Sequence, residues 1–141
     1  MSWRGEDGGI AAARAGHDVV MAPQKPTYLD HAQAKDPSEP VGIGGHNPLE
    51  DVYAYEPVPR ELSADEAKHV LGAQAQLWTE YMPEPRHVEY MAWPRLCAMA
   101  EVLWSPRETR DVEKFKAGLA THLERLAALD VNYRGRFRPP D

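Results

Sequence analysis

The sequence predicts an α/β fold with a parallel sheet. Two observations carry this reading. Short apolar stretches alternate with segments of helical period, in the order helix, strand, long loop, helix, strand, helix, helix. The longest proline-rich interval falls after a strand, where parallel α/β folds carry their functional loops. No repeat with a period of about 20–50 residues is present.

The elements follow in order. Met1-Ser-Trp-Arg-Gly5 has neither a cap nor a strand of ordinary length. Gly9-Ile-Ala-Ala-Ala-Arg-Ala-Gly16 reads as a short helix stopped by glycine. Asp18-Val-Val-Met-Ala22 is apolar and β-branched between Gly16 and Pro23, which predicts a buried strand. Residues 23–62 show no sustained period, and prolines recur at 23, 26, 37, 40, 48, 57 and 59. Tyr28, Leu29, Leu49, Val52, Tyr53 and Tyr55 anchor this stretch, so it is read as an ordered active-site loop. Ser63-Ala-Asp-Glu66 is a capping box that starts a short helix ending near Gly72. Ala73 to Thr79 reads as a small strand of mixed polarity. Val88, Met91, Ala92, Leu96, Met99, Ala100 and Leu103 recur at helical spacing and predict a helix over 87–104, kinked or divided at Pro94. A last helix over 111–130 carries the apolar stripe Val112, Phe115, Leu119, His122 or Leu123, Leu126 and Leu129.

Composition narrows the function. The 141 residues are 43% hydrophobic, which excludes compositional disorder. The formal charge of -6 gives no electrostatic reason for a nucleic-acid or anionic-membrane partner. No apolar run approaches the ~18 residues of a membrane span. The first residues lack a charged-then-apolar leader pattern. Cys97 is the sole cysteine and has no internal disulfide partner.

Three polar-aromatic clusters fall where the carboxyl ends of strands are expected. These are Trp3, Tyr28 with Asp30, and Trp78 with Glu80. Indole faces beside carboxylates suit a carbohydrate, because a sugar's apolar face stacks on tryptophan while carboxylates accept from its hydroxyls. The same pattern also fits core tryptophans and solvated acids.

A family resemblance bears on that choice. Gly72-Ala-Gln-Ala-Gln-Leu-Trp-Thr-Glu-Tyr81 and Glu89-Tyr-Met-Ala-Trp-Pro-Arg-Leu-Cys-Ala-Met-Ala-Glu-Val-Leu-Trp-Ser105 resemble the last barrel strand and following helices of glycoside hydrolase family 20 β-N-acetylhexosaminidases. Gly16-His-Asp-Val-Val-Met21 with Tyr28-Leu-Asp30 is similar to the penultimate strand and its loop. Met1-Ser-Trp-Arg-Gly5 resembles the segment after the strand before that, and Val131-Asn-Tyr-Arg134 the closing segment. The resemblance implies a TIM (β/α)8 barrel, of which this chain would be the C-terminal portion, the last two to three β/α units. A complete barrel takes at least ~200 residues.

The resemblance also implies an activity: removal of terminal β-linked N-acetylglucosamine or N-acetylgalactosamine by a retaining, substrate-assisted route without metal or cofactor. The family's catalytic Asp-Glu pair lies upstream of this chain. Asp65-Glu66 belongs to a capping box and is not assigned that role. Substrate-binding roles carry over to Tyr28 (acetamido oxygen), Asp30 and Glu80 (hydroxyls around C4 and C6), Trp78 (floor beneath the sugar) and Trp3 (acetamido wall). The partners implied are N-acetylhexosamine-terminated glycans and the missing N-terminal part of the barrel. A non-catalytic sugar-binding remnant and a structural fragment complementing a separate piece are the alternatives.

Other residues are read structurally. His17 and Asp18 open a strand. His31, His46, His69, His87 and His122 lack metal-ligand spacing. Gly42-Ile-Gly-Gly45 lacks the strand-to-helix context of a dinucleotide loop. Arg95 and Glu101 are expected to form an ion pair, Trp93 and Trp104 to pack between helices, and Cys97 to be a buried, inert thiol.

Overall fold

The computed structural model describes residues 1–135. Helix α1 (Asp7–Arg14) leads into strand β1 (Val19–Met21). A kinked turn, α2 (Gln24–Thr27), and a short helix, α3 (Leu49–Tyr53), interrupt the long loop. Helix α4 (Ala64–Ala67) precedes strand β2 (Val70–Ala73). Then come α5 (Pro85–Ala92), α6 (Arg95–Trp104), a 3-10 turn at Arg107–Thr109 and the long helix α7 (Val112–Ala128).

β1 and β2 pair in parallel, with Val19 opposite Val70, Val20 opposite Gly72 and Met21 opposite Ala73. A parallel pair needs a crossover rather than a hairpin, and the loop with α2, α3 and α4 supplies it. The register slips between Val19 and Val20. Gly72 sits there at φ +136, a conformation that side-chain-bearing residues rarely adopt. The bulge sends both Val70 and Ala73 toward the helices and leaves Leu71 66% exposed on the other face.

The helices cover one side of the sheet. Leu29, Val52, Tyr55, Ala98, Met99 and Val102 form the main core, with Ala73, Ala75 and Leu77 packed onto it. Ala13, Val19 and Met21 form a second cluster beneath α1. The alternation Ala73, Ala75, Leu77 therefore faces the helices, and Gln74, Gln76 and Trp78 face away from them.

Several sequence expectations are corrected. The second strand lies at Val70–Ala73 rather than 73–79, because the capped helix runs only to Ala67 and Gly72 marks a bulge rather than a helix stop. The capping box itself is present, with Ser63 Oγ accepting from the Glu66 amide and Glu66 from the Ser63 amide. The loop, read from sequence as ordered but without a period, carries a short helix: α3 buries Val52 and packs on α6, and five residues are too few to show a period. The predicted 87–104 helix is two helices divided at Pro94, as a residue without an amide proton requires.

Candidate substrate site at the carboxyl ends of the strands

Past β1 the chain turns through α2 and returns to the sheet. The Gln76 amide donates to the Thr27 carbonyl (2.9 Å) and the Leu29 amide donates to the Gln76 carbonyl (2.8 Å), so Tyr28 pairs in parallel with Gln76. Leu29 is buried in the core beneath the helices, which turns its neighbour Tyr28 toward the opposite, open face. Trp78 follows Gln76 by two residues on that same face and is 52% exposed. Met1 also reaches this face, where its Sδ accepts from the Gln74 side chain at 3.0 Å.

Asp30 is 3% exposed, and neither carboxylate oxygen has a hydrogen-bond partner among the described residues. Burial pushes its pKa above the ordinary 3.8, and the nearby Glu80 charge adds to the rise. Its own backbone amide, His31 and Arg95 pull in the opposite direction. Tyr28 and Asp30 thus follow the carboxyl end of β1, and Trp78 and Glu80 that of β2, linked by the Tyr28–Gln76 bridge and by the Glu80 charge acting on Asp30. Trp3 is not brought to these four: its carbonyl accepts from the Gln24 amide at 2.9 Å. Its indole lies under the Arg4 guanidinium (4.8 Å) and borders a hollow lined by Gly8, Gly9, Ala12 and Val19.

The expected Arg95–Glu101 ion pair is absent among the described residues. Arg95 is fully buried, and its guanidinium donates to the carbonyls of His31 (2.8 Å), Asn47 (2.8 Å), Leu29 (2.6 Å) and Met91 (2.6 Å). Burial lowers its pKa to about 10, so it remains a cation at neutral pH. Asn47, also fully buried, donates through Nδ2 to the carbonyls of Pro26 (2.7 Å) and Tyr28 (3.0 Å). Gln33 donates to the Tyr90 and Trp93 carbonyls, and Glu39 accepts from the Gln33 amide and from Arg134 Nε. Sequence reasoning missed this network, since bonds from side chains to backbone carbonyls leave no motif. One signal was available. Arg95 falls on the apolar stripe of Met91, Ala98, Met99 and Val102, where a charged residue requires buried partners.

Trp104 is 88% exposed, against the expectation that it packs between helices. Trp93 does pack, with its ring 6.1 Å from that of His122. Cys97 is half-buried, and burial raises its thiol pKa to about 11, in keeping with an unreactive side chain. No group of three potential metal ligands converges among the described residues.

The profile of the glycosyl hydrolase family 20 catalytic domain matches residues 1–107. The chain belongs to glycosyl hydrolase family 20. It is 52% identical over 134 residues to a β-hexosaminidase of Porphyromonas gingivalis, covering 94% of this chain and 17% of that protein. Among solved structures, it matches the family 20 exo-β-N-acetylglucosaminidase of Vibrio harveyi, solved with N-acetylglucosamine. The TM-score is 0.86 at 40% identity, covering 97% of this chain and 22% of that one. A Streptomyces plicatus β-hexosaminidase solved with its product matches with a TM-score of 0.76 at 33% identity, covering 93% and 26%. The chain therefore spans between about a sixth and a quarter of the length of these family 20 relatives. The family is one of TIM barrels, and residues 1–135 form a small α/β piece.

Proposed function

We propose that this chain supplies the C-terminal portion, the last two to three β/α units, of a β-N-acetylhexosaminidase barrel. In that barrel it builds most of the pocket for the terminal sugar. The observation that carries the reading is Asp30: a buried carboxylate, both oxygens without a hydrogen-bond partner among the described residues, past the carboxyl end of a parallel strand and within reach of the Glu80 charge. An unpaired buried carboxylate costs stability, and hydroxyl donors from a sugar would offset that cost. Because the carboxylate is closed to solvent, the side chains over it must part to admit the sugar.

Each group then has a task. The Tyr28 hydroxyl donates to the acetamido oxygen and holds that internal nucleophile near the anomeric carbon. Asp30 and Glu80 accept from hydroxyls at the far end of the sugar, which leaves no room for a longer chain and accounts for exo-cleavage. Trp78 lies beneath the ring, and Trp3, whose indole stands apart from the other four in this chain, is assigned the acetamido wall on family resemblance alone. Proton transfer falls to an acid pair on a preceding strand outside these 141 residues. The substrate class is glycans ending in β-linked N-acetylglucosamine or N-acetylgalactosamine. The sequence similarity to β-hexosaminidases and the fold similarity to sugar-bound relatives support this assignment.

The test joins this chain in one polypeptide to the preceding segments of a family 20 barrel, here called the assembled barrel. Hydrolysis of a chromogenic N-acetyl-β-glucosaminide is expected, with none from the 141-residue chain alone. An assembled barrel that neither cleaves the glycoside nor binds N-acetylglucosamine would remove the proposal. Binding without cleavage would favour the sugar-binding remnant.

A further inference from the structure

We propose that Arg95 and Asn47 form a clamp that positions the sugar-binding side chains of Tyr28 and Asp30 by gripping the backbone on either side of them. The inference rests on the pocket assignment above and assigns two residues that touch no sugar themselves.

Asn47 Nδ2 holds the carbonyls of Pro26 and Tyr28, while the guanidinium of Arg95 holds those of Leu29 and His31. One of the two peptide units flanking each pocket residue, and the unit next but one on its other side, are therefore held by side chains that are themselves fully buried, while the Thr27 and Asp30 carbonyls accept from the Gln76 (2.9 Å) and Ile43 (3.5 Å) amides. The clamp is also cross-linked. Arg95 bonds the Asn47 carbonyl, and the Asn47 amide donates to the Ala32 carbonyl at 2.8 Å. Its fourth bond, to the Met91 carbonyl, ties the arrangement to the end of α5. This segment has little regular structure of its own: it is a turn between two isolated bridges, Tyr28 to Gln76 and Ala32 to His46. Without the clamp, ladder hydrogen bonds at its two ends would not fix the direction of the Asp30 carboxylate between them.

A planar fork can bond several carbonyls at once, and an ammonium group on a flexible stem cannot reproduce that arrangement. The clamp therefore differs from a simple need for buried positive charge. Buried carbonyls could have been satisfied by water or by regular structure. Satisfying them with one arginine and one asparagine couples the pocket to the α5–α6 junction.

The experiment compares Arg95→Lys and Asn47→Ser in the assembled barrel, each with and without Asp30→Asn. Displacing Asp30 weakens the grip on sugar hydroxyls, so each clamp variant is expected to raise KM about tenfold while kcat stays within about threefold. In the Asp30→Asn background the same substitutions should change KM less than about twofold, because the group they act through is already lost. Partial misfolding gives the opposite signature: a lower apparent kcat at unchanged KM in both backgrounds, and that result would overturn the clamp.

Hydrogen exchange at the amides of Leu29 to Ala32, measured without sugar, separates this proposal from the pocket assignment. The clamp requires exchange about tenfold faster in both variants. Unchanged exchange overturns it whatever the kinetics show. Accelerated exchange in an assembled barrel that neither cleaves the glycoside nor binds N-acetylglucosamine upholds the clamp on the backbone and overturns the pocket assignment instead.

Discussion

Tyr28 and Asp30 sit two residues apart, yet they do different work and should fail differently. Removing the Tyr28 hydroxyl leaves the pocket's shape intact but frees the acetamido oxygen. Tyr28→Phe in the assembled barrel is expected to lower kcat/KM by roughly ten- to a hundredfold, and a fall below about twofold contradicts the assignment. Asp30 gives a pH-dependent result. Its folded pKa is raised above 3.8 by burial, so the folded state holds its proton more tightly than the unfolded chain does. Its contribution to stability is therefore present below 3.8 and lost as pH rises through the higher folded value. Burial disfavours the charged form of this carboxyl in the sugar-free protein. Asp30→Asn is expected to raise the melting midpoint at pH 7 by a few degrees, roughly 1 kcal/mol, and to gain nothing at acid pH. The same substitution should weaken sugar affinity about tenfold. Melting curves at both pH values, paired with a binding titration, check both halves. The identities of these two residues were legible through family resemblance. Their support by Asn47 and Arg95 was not, because side chain-to-backbone bonds between residues far apart in sequence depend on the folded path.

Legibility at the scale of elements followed length and local chemistry. The α7 stripe, the Pro94 break and the Ser63–Glu66 cap were readable because each is decided within a few residues. β2 was misplaced because its glycine serves a bulge, a tertiary feature, and α3 was missed because five residues carry no period. The caps make quantitative predictions. Asp111 accepts from the amides of Glu113 (2.9 Å) and Lys114 (3.0 Å) at the start of α7. Asp111→Ala is expected to cost about 1 kcal/mol, measured by denaturant unfolding. Arg110, next to it, donates to the carbonyls of Val102, Ser105 and Tyr55 and pairs with Glu56 at 3.3 Å, which fastens the α6–α7 turn to the end of the long loop.

At the scale of the whole molecule, the uncovered face of the sheet governs behaviour. Leu71 and Trp78 are exposed there, next to unpaired strand edges, and Trp104 stands out on the helix side. The 141-residue chain alone is expected to be aggregation-prone or loosely packed, with weak near-UV circular dichroism, strong binding of a hydrophobic dye and no hydrolase activity. A sharply melting monomer would refute that expectation. The α/β class was readable from the alternation of elements. Closure into a barrel was an expectation from the family resemblance alone, because the two strands among the described residues cannot close a cylinder.

The central claim is that a phenol, two carboxylates and an indole from two neighbouring strand ends meet one aminosugar. The crystal structure of the assembled barrel with N-acetylglucosamine tests it most directly. The account predicts the Tyr28 hydroxyl on the acetamido oxygen and Asp30 and Glu80 on the distal hydroxyls, each at about 2.5–3.2 Å, over the Trp78 ring. A sugar bound elsewhere, with Asp30 still unpartnered, would contradict it.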